Sequence, residues 1–501
     1  MQPNQPVRKI ALVGGGTAGW LTAAALSRLL GPDYAEIVLI ESDEIGTVGV
    51  GEATIPQINI FNRMLGLDEN DFVRRTQGTF KLGIQFVDWK QKGERYFHPF
   101  GGYGVDMNGV SFHAFWLKLQ SLNMVDDIND YNLQAVAALA GKFMRAANAP
   151  NSPIAKIAHA FHFDAGLYAR FLRDFAEGLG VARFEGVVAQ VDLNPENGFI
   201  DAVILRDGRR FDADLFIDCT GFRSLLLGEA LGVDFEDYSA LLPCDRAIAV
   251  PSEKIADPTP YTRSTAREAG WQWRIPLQHR TGNGHVFSSS FMDEQPALDL
   301  LMRNLDGRPL AEPRTLRFTT GRRVRMWEKN CVAIGLSSGF LEPLESTSIH
   351  LIQSGLAKLL QFFPDRAFAQ PDIDAFNRFS NQEYDYIRDF IILHYHVTER
   401  DDSDFWKYVR NMPIPERLQG KIDLFRSRGR VIRENEELFN DTSWFAVMIG
   451  QGLRPSGFDS VVNCISDDEL KARLANIRET IHLSSQRMPT HADFIAEHCA
   501  A

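Results

Sequence analysis

A strand, a glycine turn, a helix and a second strand ending in an acid fill the first 41 residues, and nothing else in the chain restricts its fold so tightly. Residues 10–13 read as a short buried strand, and Gly14, Gly16 and Gly19 follow at G-x-G-x-x-G spacing. Residues 18–30 read as a helix stopped by Gly31-Pro32, and residues 37–40 as a strand ending at Glu41, 22 positions after Gly19. Each glycine has a mechanical reason: a tight turn, a close approach of backbone to a pyrophosphate, and close packing of helix on sheet. The helix start adds unpaired N–H groups and positive dipole for phosphates. Glu41 stands where a ribose would offer its hydroxyls. A glycine-rich loop that binds nothing would not need all of these in order. The stretch predicts a doubly wound, Rossmann-like α/β domain that binds a dinucleotide.

The rest of the chain adds β-sheet and then helix. Residues 79–89 alternate, with Phe80, Leu82, Ile84 and Phe86 on one face and Lys81, Gly83 and Gln85 on the other, so Lys81 by itself reads as a solvated lysine on a polar strand face. Residues 96–102 and Phe112, His113, Phe115 and Trp116 form a dense aromatic cluster, either core or the wall of a pocket for a flat ligand. Residues 163–178 read as an amphipathic helix, and strands are expected at 187–193, 199–206 and 214–218, the last running into Gly221, where a second contact to the dinucleotide is expected. Trp271 and Trp273 share a face of an extended segment. After a strand at 331–335 and a loop holding Glu342 and Glu345, apolar residues from Ile349 to Phe363 repeat at helical spacing, with Ser346 or Thr347 as N-cap. An anion there would meet free N–H groups. From about residue 373 the pattern is mainly helical, with a last helix after Ser466. The expected division is therefore 1–372, with interleaved sheet segments, and 373–501, a helical region covering a substrate pocket.

Charge and cysteine usage narrow the partners. A net charge of −12 without blocks of like charge argues against nucleic acid or an anionic membrane. No apolar run approaches the ~18 residues that span a bilayer. Five scattered cysteines with no C-x-x-C point to reduced thiols in a cytoplasmic protein and to no metal site. Residues 1–9 are expected to be a frayed polar tail rather than a signal peptide.

Taken together the motifs resemble those of the flavin-dependent halogenases of the tryptophan-halogenase family, over residues of about 8 to 460. Gly14-Gly-Gly-Thr-Ala-Gly-Trp20 is similar to the family's flavin fingerprint, and residues 48–56 to its flavin strap. Trp271-x-Trp-x-Ile-Pro276 matches its W-x-W-x-I-P signature, Phe80-Lys81 the segment of its essential lysine, and Pro343-Leu-Glu-Ser-Thr347 that of its essential glutamate. The resemblance implies that FAD is held by Gly14, Gly16, Thr17, Ala18, Gly19, Glu41, Gly51, Ala53, Leu336, Ser346 and Ile349. It implies halide (chloride or bromide) at Thr347 and Ser348, hypohalous acid carried to Lys81, Glu345 as its partner, and an aromatic substrate between His98 and Phe100. It also implies a separate flavin reductase supplying FADH2.

Two features depart from the family pattern. Ser348 stands where glycine is usual, and residues 433–439 do not match the segment that grips an amino-acid headgroup. The expected substrate is therefore an indole-like ring rather than free tryptophan. A flavin-dependent hydroxylase and a flavin-binding protein without activity are the other readings.

Overall fold

The structure, a computed structural model, describes residues 5–44, 51–150 and 152–501. The chain divides into two compact units, each assembled from three stretches.

The first unit comprises Met1–Gln77, Phe163–Asp245 and Arg317–Asp385. Its six-stranded sheet runs in the order Trp327–Glu328, Cys331–Ala333, Leu215–Asp218, Lys9–Val13, Glu36–Glu41, Ala182–Glu185. All neighbours are parallel except the antiparallel edge pair Trp327–Glu328 and Cys331–Ala333. Parallel strands are covered on both faces, which is why residues 10–13 and 215–218 are apolar almost throughout. The helix Thr17–Leu30, rich in Ala and Leu, packs against the sheet and ends at Gly31, whose φ of 75° continues no helix. A second helix, Ala165–Gly178, is capped by Asp164, whose carboxylate accepts from the Leu167 N–H at 3.0 Å. An antiparallel sheet of Val188–Leu193, Ile200–Leu205 and Arg210–Asp212 shares a core with the parallel strands around Val13, Ile40, Val203, Phe216 and Leu226.

The second unit comprises Gly78–His162, Arg246–Leu316 and Tyr386–Ala501. Its seven-stranded sheet runs Arg314–Arg317, Arg246–Glu253, Arg280–Phe287, Gly270–Pro276, Thr262–Arg267, Gly83–Val87, Arg95–Pro99. Trp273 fits there because Gly284 stands opposite it: a Cβ on Gly284 would lie 2.0 Å from the indole. Thr79–Lys81 leaves this sheet to pair with Ala160–Asp164. From residue 370 onward every regular element is helical.

Three expectations are revised. The compact units do not separate at residue 372; helices after 386 share a unit with strands at 79–99 and 246–287, because their apolar faces are buried there. The strand expected over 79–89 is two, Thr79–Lys81 and Gly83–Val87, since the Leu82 N–H turns to Pro260 O. The helix after Ser466, Asp467–Gln486, is followed by another, His491–His498.

Candidate active site

In the first unit the glycine turn is a cradle whose geometry follows from contacts. Gly14 has φ 109°, and a Cβ there would lie 2.2 Å from Cys219 O. A Cβ on Gly19 would lie 1.8 Å from Gly14 O, so helix and turn close only around glycine. Gly16 is different, because among the described residues a side chain there would meet nothing within 4 Å. No side chain caps the helix beginning at Thr17. Open space over an uncapped helix N-terminus suits a pyrophosphate. Glu41 ends its strand beside this turn, with its carboxylate over Gly15 and paired with Arg183.

A second loop meets the cradle. Gly335, at φ 75°, lies so near Ala18 that a Cβ on it would stand 2.7 Å from the Ala18 side chain. Leu336 follows and is exposed, while the buried Ser337 hydroxyl has no hydrogen-bond partner among the described residues. Gly221 does end the strand Leu215–Asp218 in a left-handed turn, φ 73°. The acid before it, Asp218, is spent inside the protein, accepting from the N–H groups of Leu226 (2.8 Å) and Leu227 (2.9 Å). Of the strap, residues 48–50 lie outside the described residues; Gly51–Ala53 is a short strand. Burial pushes the Glu52 carboxyl up to about 7.

The segment holding Glu345 is a tight turn, Pro343–Glu345, followed by Ser346 at φ 60° and the helix Ser348–Gln361. Glu345, Ser346 and Thr347 are all buried. Thr347 occupies the N-cap position, but its side chain does not cap the helix, contrary to expectation; the Thr347 hydroxyl is buried with no partner among the described residues. A buried hydroxyl left unpaired costs on the order of 1–3 kcal/mol, so this one fits a place where an anion would be received. His350 and Lys358 anchor this helix to Glu383, at 2.8 and 2.5 Å. Burial favours the neutral acid at Glu383, but these two partners hold its carboxyl well below the usual range.

In the second unit Lys81 is fully buried, not solvated. Both faces of its strand are covered, so alternation there marked two environments inside the protein rather than inside and outside. The Lys81 ammonium stands 5.3 Å from the centre of the Phe100 ring. Ala160 pairs with Lys81 across the strands, and two residues away Thr79 pairs with His162. The Thr79 hydroxyl donates to Pro276 O at 2.7 Å, so it can only accept from His162 Nδ1 at 3.0 Å. His162 Nε2 then accepts from the Thr262 hydroxyl at 2.9 Å. Burial, with the charge of Lys81 adding to it, pushes the His162 pKa well down, so the imidazole stays neutral.

His98 is likewise buried, its ring 5.9 Å from Phe390 and 6.4 Å from Phe439. Phe390 stacks on Phe439 at 3.9 Å and meets Trp444 edge-on. In segment 433–439 the buried acid is Glu437, and Arg417 (2.7 Å) and Lys421 (3.1 Å) bind its carboxylate, while Arg417 also reaches Asp389. Elsewhere in the second unit a cavity of about 970 Å³ opens, walled by Gly102–Gly104, His113, Arg433 and Asp441 among others. The sequence marks His113 and the aromatic cluster, and segment 433–439 as a departure from the family pattern, but not Tyr103 or Asp441, which no motif connects.

Lys81, His98 and Phe100 thus belong to the second unit, and the residues expected to hold cofactor and halide to the first, together with Glu345. Among the described residues no group of three or more His, Cys, Asp or Glu could hold a metal, and no helix is long and apolar enough to cross a membrane.

A parallel sheet with this glycine cradle fits a dinucleotide-binding enzyme. The chain belongs to the tryptophan-halogenase family, whose model matches residues 9–467. It is 35% identical over 483 residues to a tryptophan 6-halogenase of Streptomyces toxytricini, covering 89% of this chain and 90% of that one. Among solved structures, a flavin-dependent halogenase from Xanthomonas campestris is 49% identical, with 99% of each chain covered and a TM-score of 0.96. Another from Brevundimonas sp. BAL3 is 48% identical, with 98% and 99% covered and a TM-score of 0.94. The chain is a flavin-dependent halogenase that uses reduced FAD to halogenate aromatic substrates. These likenesses do not favour a hydroxylase or a flavin-binding protein without activity.

Proposed function

We propose that the enzyme transfers bromine or chlorine, as hypohalous acid held at Lys81, to an electron-rich indole-like ring. Reduced FAD, delivered by a separate reductase, supplies the oxygen activation that oxidises halide. The chain's own residues do the rest. Gly14, Gly16, Thr17, Ala18 and Gly19 receive the pyrophosphate, Glu41 the ribose, and Gly51, Ala53, Leu336, Ser346 and Ile349 the remainder of the cofactor. Thr347 and Ser348 hold the halide at the helix start, where the buried Thr347 hydroxyl awaits a partner. Lys81 keeps hypohalous acid in place by hydrogen bonding, with its charge sheltered from water. The ring, between His98 and Phe100, attacks the halogen; Glu345 takes the ring proton, and water leaves.

The observation that carries this reading is the burial of Lys81 against the Phe100 ring. A lysine beside that ring is held out of bulk water, which suits a group that must keep a reactive acid from hydrolysing or escaping. Glu437 is already bound by Arg417 and Lys421, so it offers no grip for a free amino acid, and indole is expected to be turned over better than tryptophan. Without a headgroup to fix the ring, halogen goes to C3, and bromide does at least as well as chloride. The test supplies reductase, NADH, FAD and bromide or chloride with either substrate. Brominated indole at C3 is expected; an oxygenated product formed without halide, or a preference for tryptophan halogenated on its benzene ring, would overturn the reading.

A further inference from the structure

Lys81 is carried on a strand with one open side. Thr79–Lys81 pairs with Ala160–Asp164, and among the described residues no strand lies on its other side. A buried N–H on that open side needs an acceptor from elsewhere. Phe80 presents such an N–H, and the acceptor is an imidazole: Nε2 of His491 lies 3.0 Å from it. His491 is 1% exposed and opens the helix His491–His498. Its Nδ1 stands 2.8 Å from Pro258 O. A carbonyl only accepts, so Nδ1 carries the proton and Nε2 keeps its lone pair for Phe80. Burial favours this neutral form, pushing the His491 pKa down to about 4.

One segment thereby holds the strand on both sides of Lys81. The Leu82 N–H donates directly to Pro260 O at 2.8 Å, and the Phe80 N–H is tied to Pro258 O through the imidazole. Lys81 is the residue between them. The same helix fixes Phe80 a second time, through its ring, which meets Phe494 edge-on at 5.4 Å and stacks on Phe143 at 4.1 Å. The helix is anchored in turn: the His491 N–H donates to Gly141 O at 2.9 Å, and the Phe143 N–H to Pro489 O at 3.3 Å. Successive residues of a strand face opposite ways, so a helix that packs on the Phe80 ring stands behind the strand, on the face opposite the Lys81 side chain. From there it acts on Lys81 through the backbone.

We propose that His491 is a positioning residue for Lys81: its imidazole takes the place of a neighbouring strand and fixes the backbone of Phe80 and Lys81, so that the ammonium is held in one place beside the Phe100 ring. The proposal rests on the role given to Lys81 above. A group that presents hypohalous acid to a ring carbon must be placed closely, since a misplacement of about 1 Å costs on the order of 100-fold in rate. Losing the His491 acceptor should therefore lower halogen transfer and leave halide oxidation as it is.

The experiment uses the full chain with reductase, NADH, FAD, bromide and indole, and two amides that divide the imidazole between them. His491→Gln is long enough to put its oxygen where Nε2 accepts from Phe80. His491→Asn reaches only as far as Nδ1, where its NH2 can still donate to Pro258 O. Each variant loses one of the two hydrogen bonds, so damage to the fold alone should act on both alike, which thermal melts followed by circular dichroism check. His491→Asn is expected to lower kcat for brominated indole on the order of 10- to 100-fold, with the KM for indole unchanged. FAD binding and hypobromous acid trapped by a chromogenic 1,3-diketone should stay near wild type. His491→Gln should keep most of the wild-type kcat. Wild-type kcat in His491→Asn, equal losses in the two variants, or a matching fall in trapped hypobromous acid would overturn the proposal. Lys81→Ala, assayed beside them, keeps the two readings apart. If it blocks bromination while His491→Asn does not lower it, the role of Lys81 stands and that of His491 falls; if Lys81→Ala brominates indole at near wild-type rate, both fall.

Discussion

At its candidate site the first unit offers backbone, and the second offers side chains. In the first, Gly14 and Gly19 bring turn and helix within reach of one another, Gly16 leaves a gap, and the helix start supplies N–H groups. In the second, Lys81, His98 and Phe100 are held by what surrounds them: Ala160 across the strand, a neutral His162 between two threonines, and the Phe390, Phe439 and Trp444 rings. Backbone sites tolerate change except where a Cβ would collide. Side-chain sites depend on every charge nearby being matched, because an unmatched charge in a buried place is costly. The two units should therefore fail in different ways.

The largest effect is expected at the charge network of the second unit. Glu437→Ala strips the buried Arg417 and Lys421 of a shared carboxylate and should cost about 3–5 kcal/mol, read by chemical denaturation. A loss below 1 kcal/mol would mean that water already screens this network. Next comes Gly19→Ala in the first unit, whose added Cβ would sit 1.8 Å from Gly14 O. Forced overpacking of 1–3 kcal/mol should weaken FAD binding on the order of 10- to 100-fold in a fluorescence titration. Unchanged affinity would show that the cradle can yield, and the contrast between the units would lose its basis.

The smallest effect concerns pH. Glu52 has a folded pKa of about 7 against an ordinary 4.5, so the folded protein keeps a proton that the unfolded chain has lost. Its stabilising contribution is complete below pH 4.5 and is lost as pH rises through 7. Glu52→Gln should flatten the melting temperature against pH across that window. An unaltered slope would place the titration elsewhere.

The same contrast explains how much was legible in the sequence. The cradle is local: strand, three glycines, helix and acid fall within 41 residues, and each glycine acts on neighbours that the spacing already names. The Lys81 site is not local, since its unit joins three separate stretches, and His491 accepts from the Phe80 N–H across 411 positions. Periodicity therefore made Lys81 a surface residue, and only the resemblance of Phe80-Lys81 to a known segment marked it. Nothing in the sequence marked Tyr103 or Asp441, because a cavity wall is a property of packing and leaves no spacing, and Arg433 stood out only as the start of a segment that departs from the family pattern. The Thr347 cap was misjudged for a related reason: the spacing located the helix start, but whether the hydroxyl turns back to cap it depends on what lies in front.

The central claim is that halide oxidation and halogen transfer are separable, the first resting on groups of the first unit and the second on Lys81. Lys81→Ala separates them in one measurement, with a chromogenic 1,3-diketone trapping hypohalous acid and mass spectrometry following brominated indole in the same reaction. The account predicts FAD binding and trapped hypohalous acid near wild-type levels, with ring bromination down by at least about 100-fold. Brominated indole at near wild-type rate would contradict it.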